Sequence, residues 1–315
     1  MKPSDLRQGF LKSSIKREEY WHQISKMCEP LLDFTHFLSG TDNKLIVSEM
    51  GVVVEFPFVQ ATRVSLFLDP EDVRTASSII LSEGAYEPFI SEIINSLSES
   101  STNFVDVGAN IGYYTISVAK KFPSIQIFAF EPNPIVYSKL QKNIELNGQL
   151  KNISSFNVAA GKLNGESLDF YIPRLTGSSG GSFRELHSEE GESISIKVKS
   201  ALIDEVLGIR EKIDLMKFDV EGAELEALEG SLAIITKDKP TIFAELLRKW
   251  MKPFKSHPQD VVKILKALDY LPLSIGEGSL SPLDEIVEET IETNFLFIHK
   301  LNVKHLNLVE KYMRV

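Results

Sequence analysis

A short glycine-containing segment between a strand and a helix most constrains the fold of this chain. Residues 103–107 (NFVDV) are predicted to form a buried strand, 108–112 (GANIG) a tight turn and 113–121 the following helix. Glycine at the two ends of this turn lets the backbone approach a ligand where a Cβ would collide, and the N–H groups of the new helix face the same place. The pattern therefore predicts a nucleotide-binding βα unit.

The next strand indicates which nucleotide is bound. Residues 126–130 form a second apolar strand that ends at Glu131, where a carboxylate is placed to accept hydrogen bonds from both ribose hydroxyls. A dinucleotide site requires G-x-G-x-x-G, but Ala109 and Asn110 stand where its middle glycine would be. The carboxylate of Asp106 would repel a pyrophosphate, whereas it suits an ammonium or a sulfonium group. These features favour S-adenosylmethionine.

At this point the sequence resembles the FkbM family of S-adenosylmethionine-dependent methyltransferases. The combination of DVGANIG with a later lysine, aspartate and V-E-G-A-E string is specific to that family. The resemblance implies transfer of a methyl group to a hydroxyl of a sugar or glycosylated metabolite. It extends over roughly residues 84–300 and is carried by Val105–Thr115 (VDVGANIGYYT), Ala129–Pro134 (AFEPNP), Asn143–Gly148 (NIELNG), Lys217–Gly230 (KFDVEGAELEALEG) and Asn294–Phe297 (NFLF).

Strand and helix patterns alternate through the second two thirds of the chain. They predict a doubly wound α/β fold with a mostly parallel, seven-stranded, Rossmann-like methyltransferase sheet. The last two strands have little helix between them and are expected to form the antiparallel hairpin that closes such a sheet. The predicted strands are residues 103–107, 126–130, 154–159, 213–219, 241–246, 270–275 and 294–299.

Residues 1–98 are predicted to form an N-terminal α+β cap on a methyltransferase domain of residues 99–315, since no linker-like segment separates them. Residues 1–40 have the periodicity of an amphipathic helix, which we interpret as an accessory or homodimer helix. A membrane-surface helix is the less favoured alternative, because acidic residues are interspersed with its basic ones. Residues 45–68 are predicted to form a small antiparallel sheet with a hairpin at Gly51.

An insertion is predicted between the third and fourth core strands. The segments ESLDFYIP and ESISIKVKS have the pattern of two strands of a β-hairpin. The loop that joins them, Thr176–Phe183, is rich in glycine and serine. Two interpretations of this loop stay open: it closes over a substrate, or it is a mobile hairpin tip.

Two carboxylates are the candidate catalytic residues. Asp219 and Glu245 end the fourth and fifth core strands, and ligands of open α/β sheets bind beyond the carboxyl ends of the strands. A carboxylate there can orient a hydroxyl acceptor or take its proton. Lys217 points the same way as Asp219 along the strand and is a candidate to keep it ionised, whereas Glu224 is interpreted as a helix-stabilising residue. The predicted cofactor-binding residues are Asp106, Gly108, Asn110, Gly112, Glu131, Asn133 and Ala159.

Composition limits the partners and the compartment. The net charge of −10 disfavours binding to nucleic acid, and the single cysteine, Cys28, fits a reducing interior. The six histidines lack metal-ligand spacing, so we predict no metal. The N-terminus lacks the apolar core of a signal peptide, and no window is long and apolar enough to span a membrane. We therefore expect a cytoplasmic enzyme that acts on a small-molecule or glycan acceptor.

Two alternatives remain at this point. A nicotinamide-dependent oxidoreductase would share the βα unit, but the missing middle glycine disfavours it. A non-catalytic domain could use the same pocket to bind a nucleoside cofactor for assembly or sensing. The acidic residues at the ends of the fourth and fifth strands argue only mildly against that second alternative.

Overall fold

The structure is a computed structural model that describes residues 3–69, 72, 74–173, 180–185, 193–208 and 212–314; of residues 3–4 and 28–34 it describes only the backbone. The strands are β1 (Lys44–Ser48), β2 (Gly51–Phe58), β3 (Thr62–Phe67), β4 (Asn103–Val107), β5 (Gln126–Phe130), β6 (Ile153–Phe156), β7 (Ala159–Ala160), β8 (Ser167–Pro173), β9 (Ser193–Ala201), β10 (Leu215–Phe218), β11 (Thr241–Glu245), β12 (Tyr270–Ile275), β13 (Leu280–Pro282) and β14 (Asn294–His299). The α-helices are α1 (Pro3–Leu11), α2 (Arg17–Leu38), α3 (Ala76–Glu83), α4 (Pro88–Ser98), α5 (Tyr113–Lys121), α6 (Pro134–Leu146), α7 (Ile203–Leu207), α8 (Glu224–Glu229), α9 (Leu232–Asp238), α10 (Arg248–Met251), α11 (Pro258–Ala267) and α12 (Val303–Val309).

The central sheet has the strand order β13-β12-β14-β11-β10-β4-β5-β6. Strands β6, β5, β4, β10 and β11 are parallel, and β14, β12 and β13 pair antiparallel with their neighbours. The predicted fold class and all seven predicted strands are confirmed. The strand count is eight rather than seven, because the short edge strand β13 ends in a proline and carries too little pattern to be predicted from sequence.

The two faces of this sheet pack into separate cores, because successive strand residues point to opposite sides. In β4, Phe104 packs on one face with Ile93 of α4 and Ile116 of α5. Its neighbour Val105 packs on the other face with Leu228 of α8. Helices therefore cover both faces, as the prediction of a doubly wound sheet requires.

The N-terminal region differs from its prediction in one respect. Two helices, α1 and α2, replace the single helix expected over residues 1–40, because the chain turns between them at Ser13, whose φ is +58°. The predicted antiparallel sheet is present as β1-β2-β3, and Gly51 at its hairpin has a φ of +131°.

The N-terminal sheet docks on the helices that follow β4 and β5. The Asn147 side chain, just after α6, accepts a hydrogen bond from the backbone N–H of Ser65 and donates one to its carbonyl. The side chain of Asn143 accepts from the backbone N–H of Phe67. The division of the chain at residue 98 stays a prediction, as does the homodimer.

The insertion has the predicted hairpin, formed by antiparallel pairing of β8 with β9, and β7 adds a third strand beside β9. Residues 176–179 of the predicted loop lie outside the described residues. The described end of this loop is held by hydrogen bonds. The backbone of Ser182 pairs with that of Tyr171 in β8, and the Ser182 hydroxyl donates a hydrogen bond to the carbonyl of Glu221. No helix among the described residues is long and apolar enough to cross a membrane.

Candidate active site

A cleft opens at the carboxyl ends of β4, β5, β10 and β11. Its lining includes Gly108, Glu131, Asp219 and Glu245, one residue from just beyond or at the end of each of these four strands. Carboxyl ends of parallel strands meet at one edge of a sheet, so residues distant in sequence converge there. Both predicted catalytic residues therefore lie in the same cleft as part of the predicted cofactor site.

The glycine turn forms one wall of the cleft. Gly108 has a φ of +83°, and a Cβ on it would lie 1.8 Å from the carbonyl oxygen of Asp219. Gly112 has a φ of +96° and begins α5, where a Cβ would meet Leu140 at 2.6 Å. The turn was predicted to need glycine for the approach of a ligand. The structure gives a different reason, which is the approach of the chain's own β10 loop and helix side chains.

Glu131 is held in place by two backbone donors. One carboxylate oxygen accepts from the N–H of Asn110 at 3.0 Å, and the other accepts from the N–H of Asn133 at 2.9 Å. Burial raises the pKa of Glu131 to about 7, although these two N–H groups act in the opposite direction. Each carboxylate oxygen has a second lone pair, so the group can still accept hydrogen bonds from a ligand.

Asp106 lies beneath the cleft rather than in its lining. It is 1% exposed, and its Oδ2 accepts from the hydroxyl of Thr115 on α5 at 2.5 Å. Its Oδ1 is buried and has no hydrogen-bond partner among the described residues. Burial raises the pKa of Asp106, and Lys217 on the neighbouring strand opposes that rise.

Lys217 is buried beside the catalytic candidates. Its Nζ lies 2.7 Å from Oδ2 of Asp219 and 5.3 Å from the ring centre of Tyr114. Burial lowers the pKa of Lys217, but Asp219, Asp106 and Glu87 together outweigh burial and raise it above the usual value. The predicted ion pair between Lys217 and Asp219 is confirmed.

Glu245 forms a carboxyl pair with Asp219. Burial, the charge of Asp219 and a side-chain hydrogen bond between the two groups raise the pKa of Glu245 well above its usual value. Two carboxyl groups in hydrogen-bond contact share a proton, because two adjacent negative charges repel each other in a poorly solvated site. The pair therefore favours one shared proton over two negative charges.

Glu224 and Glu221 have different positions in the loop after β10. One oxygen of Glu224 accepts from the N–H groups of Val220 and Gly222 at 3.1 and 3.0 Å, which fixes the loop before α8. This contact agrees with the structural role predicted for Glu224. Glu221 instead lines the cleft and has a φ of +51°, a conformation that is uncommon for residues other than glycine.

Several residues of the cleft were not predicted from sequence. Tyr86 and Glu87 enter it from the segment before α4, and Arg74 enters it from the segment before α3. Glu87 has a left-handed backbone, with a φ of +42°, and accepts from the hydroxyl of Tyr114 at 2.6 Å. Nothing in the local pattern marks these residues, because they reach the cleft only through the docking of the N-terminal region on the central sheet.

The predicted cofactor residues divide into two groups. Gly108, Asn110 and Glu131 line the cleft, whereas the other four do not. Asn133 caps α6 by accepting from the N–H of Ile135, and Ala159 lies between two cleft residues without lining the cleft itself. Among the described residues, no group of three or more His, Cys, Asp or Glu side chains is arranged to hold a metal ion.

Glu221 is expected to make the folding stability fall as the pH rises. Burial, then Asp219 and Glu224, raise its pKa from 4.5 to about 8, against the opposing charges of Arg74 and Lys249. The folded state thus binds more protons than the unfolded state above pH 4.5, and the stability present below that pH is lost as the pH rises through about 8. The Tm of Glu221→Gln should fall less than that of the wild type between about pH 5 and about pH 8. An equal decrease in Tm for the variant and the wild type, measured by scanning calorimetry over this pH range, would contradict the prediction.

Comparison with known proteins places this site in a sequence family. The profile of the Methyltransferase FkbM domain matches residues 106–272. Methyltransferase sdnD of Sordaria araneosa is 32% identical over 158 residues, which are 42% of this chain and 61% of that protein. The 2-O-methyltransferase NoeI of Sinorhizobium fredii (strain NBRC 101917 / NGR234) is 29% identical over 166 residues, 47% of this chain and 65% of that protein. The chain thus spans less than two thirds of the length of these curated relatives.

A solved structure is also similar. Methyltransferase FkbM from Methylobacillus flagellatus KT superimposes with a TM-score of 0.40 at 17% identity, over 63% of this chain and 44% of that one. The profile match itself covers just over half of the 315 residues. It includes the glycine turn, Glu131 and both carboxylates of the Asp219–Glu245 pair. This chain belongs to the methyltransferase FkbM domain family.

Proposed function

We propose that the chain is an S-adenosylmethionine-dependent methyltransferase that methylates a hydroxyl group of a sugar or glycosylated metabolite. The observation that carries this proposal is the convergence of Glu131 and the Asp219–Glu245 pair in one cleft at the carboxyl end of the sheet. Glu131 is placed to bind a nucleoside, and the Asp219–Glu245 pair is placed to accept a proton from the acceptor hydroxyl.

The residues present fit S-adenosylmethionine. The cleft is rich in carboxyl groups, with Arg74 as its one cationic lining residue among the described residues, and it therefore suits a cofactor that carries a sulfonium and an ammonium group. Glu131 would accept the ribose hydroxyls, and the unpartnered Oδ1 of Asp106 is a buried acceptor near the turn. When bound, the cofactor supplies an electrophilic methyl group.

The chain's own contribution to transfer would be positioning and proton removal. A hydroxyl acceptor loses its proton as its oxygen attacks, and Asp219 is the carboxylate of the pair that can take it. Lys217 balances the charge of Asp219 at 2.7 Å and holds the side chain in one orientation. A proton shared by the pair and donated from the Glu245 side would leave Asp219 as the acceptor.

The choice of oxygen as the acceptor atom rests on the likeness to a protein described as a 2-O-methyltransferase. The net charge of −10 supports a small molecule or glycan over nucleic acid as the acceptor. A cytoplasmic location and a homodimer remain part of the proposal. Non-catalytic cofactor binding and nicotinamide-dependent oxidation are the alternatives that the experiment must separate.

Calorimetry followed by a transfer assay tests the proposal. Titration with S-adenosylmethionine should give saturable binding, and titration with NAD should give none. Transfer of a labelled methyl group to a crude fraction of cellular glycosides should then depend on the protein. Binding of NAD alone would indicate an oxidoreductase, and binding of S-adenosylmethionine with no transfer to any acceptor fraction would indicate a non-catalytic domain.

A further inference from the structure

A second cavity lies beside the cleft and shares one residue with it. Its volume is about 990 Å³ and it is open to solvent on one side, so it can admit a small organic ligand. The shared residue is Glu87, which lines both spaces. The cavity is formed by the start of α4, the turn between β12 and β13, and the segment that enters β14.

A second contact joins the two spaces across the sheet. Asn294, which lines the cavity, stands opposite Glu245, which lines the cleft, in the antiparallel pair of β14 and β11. Directly opposite residues of such a pair place their side chains on the same face and close together. A ligand in the cavity would therefore have one end beside the Asp219–Glu245 pair.

Asn294 also has an unused hydrogen-bonding atom. Its Oδ1 is buried and has no partner among the described residues, and its Nδ2 makes only a long contact of 3.4 Å with the hydroxyl of Thr293. A buried acceptor without a donor costs free energy, so rotation of the Asn294 amide toward a donating ligand hydroxyl in the cavity would be favoured.

The cavity walls are held by hydrogen bonds rather than by side-chain packing alone. Arg248 donates to the backbone carbonyls of Val287, Glu288 and Thr290, which fixes the segment leading to β14. On the opposite side, the N–H of Arg314 donates to the carbonyl of Leu280 in β13. The cavity is thus a built feature of the fold.

The lining of the cavity favours one class of ligand. Hydroxyl, amide and carboxyl groups and one arginine line it together with five apolar side chains; the polar residues include Glu277, Ser279, Ser281, Glu292, Thr293 and Arg314, and the apolar ones are Pro88, Phe89, Ile90, Ile275 and Ile291. The polar groups can form hydrogen bonds with the many donors and acceptors of a compact polyhydroxylated ring. Resting on the proposed function, we infer that this cavity binds the acceptor as a neutral glycoside and presents one of its hydroxyls to Asp219 past Glu87.

Filling the cavity tests this assignment. A Cβ on Gly276, which lines the cavity, would lie 3.8 Å from the carbonyl oxygen and 3.9 Å from the hydroxyl of Ser279, so Gly276→Phe places a ring in the cavity without a backbone clash. The matched control is Leu301→Phe, because Leu301 is 72% exposed and lies beyond the far end of β14. Binding of methyl α-glycosides of glucose, rhamnose and fucose is measured by saturation-transfer NMR, and binding of S-adenosylmethionine by calorimetry.

We expect at least one glycoside to bind both the wild type and the Leu301→Phe control. Gly276→Phe should lose the glycoside signal, while its Kd for S-adenosylmethionine should stay within about twofold of the wild-type value. Asn294→Leu, which removes the unused acceptor at similar size, should weaken the same glycoside about tenfold and provides the answer if Gly276→Phe does not fold. The inference is overturned if no glycoside binds the wild type or if both cavity variants bind it normally. Failure of the proposed function is a separate result, namely the absence of S-adenosylmethionine binding to the wild type.

Discussion

Replacement of Asp219 by asparagine is expected to lower kcat about a hundredfold or more, while the affinity for S-adenosylmethionine changes little. Loss of a general base typically costs 10²–10⁴-fold in rate. Asparagine keeps the size of the side chain and part of its hydrogen bonding but cannot take a proton. Lys217 stays partly balanced in the variant, since Asp106 stands beside it on β4. The fold should therefore survive, and kcat and Kd can be measured separately.

The matched control for this variant is Asp269→Asn. Asp269 also binds a lysine, Lys300, at 2.7 Å, but it is exposed and precedes β12 at the opposite end of the sheet. Its loss should leave kcat unchanged. If Asp219→Asn loses cofactor affinity and turnover together, Asp219 belongs to cofactor binding or to the structural core. Full turnover in Asp219→Asn would remove it from the mechanism and leave Glu245 as the candidate carboxylate.

Replacement of Glu131 by alanine is expected to weaken S-adenosylmethionine binding by about 2–4 kcal/mol, as two hydrogen bonds to a charged group are lost. Titration calorimetry at constant ionic strength measures this difference. The structure adds a second effect of the substitution, because Glu131 also accepts from the N–H groups of Asn110 and Asn133 and so holds two segments of the cleft together.

Asn157→Ala separates these two effects. The amide of Asn157 donates to the carbonyls of Glu131 and Pro132, and so supports the same segment without lining the cleft. We expect Asn157→Ala to weaken binding by less than about 1.4 kcal/mol, a factor of ten. Equal losses in Asn157→Ala and Glu131→Ala would assign the effect to loop order and would refute direct recognition of the ribose by Glu131.

Some parts of the site could be predicted because their signals are local. Asp219 and Glu245 each end a strand, and the carboxyl ends of parallel strands always meet at one edge of the sheet. The pairing of Lys217 with Asp219 follows from the two-residue period of a strand, which places both side chains on one face. These inferences required no knowledge of distant contacts.

For other predicted residues, only the tertiary surroundings decide whether the side chain lines the cleft. Asp106 and Glu131 both carry a carboxyl group in the same βα segment, yet Asp106 points under the cleft toward Thr115 and Glu131 lines it. Asn133 carries an amide group that could bind a ligand, but its side chain caps α6. Sequence alone cannot distinguish these cases, since a strand pattern does not specify which helix packs over each side chain.

The sequence by itself determined the succession of strands and helices along the chain, the glycine turn and the acidic strand ends, because backbone propensity and side-chain periodicity act between neighbouring residues. Only the tertiary structure decided that Tyr86 and Glu87 enter the cleft, that burial and the neighbouring Asp219 raise the pKa of Glu245, and that a second cavity shares Glu87 with the cleft. Desolvation, shared protons and cavities depend on distances through space between segments far apart along the chain, and those distances exist only after the chain has folded.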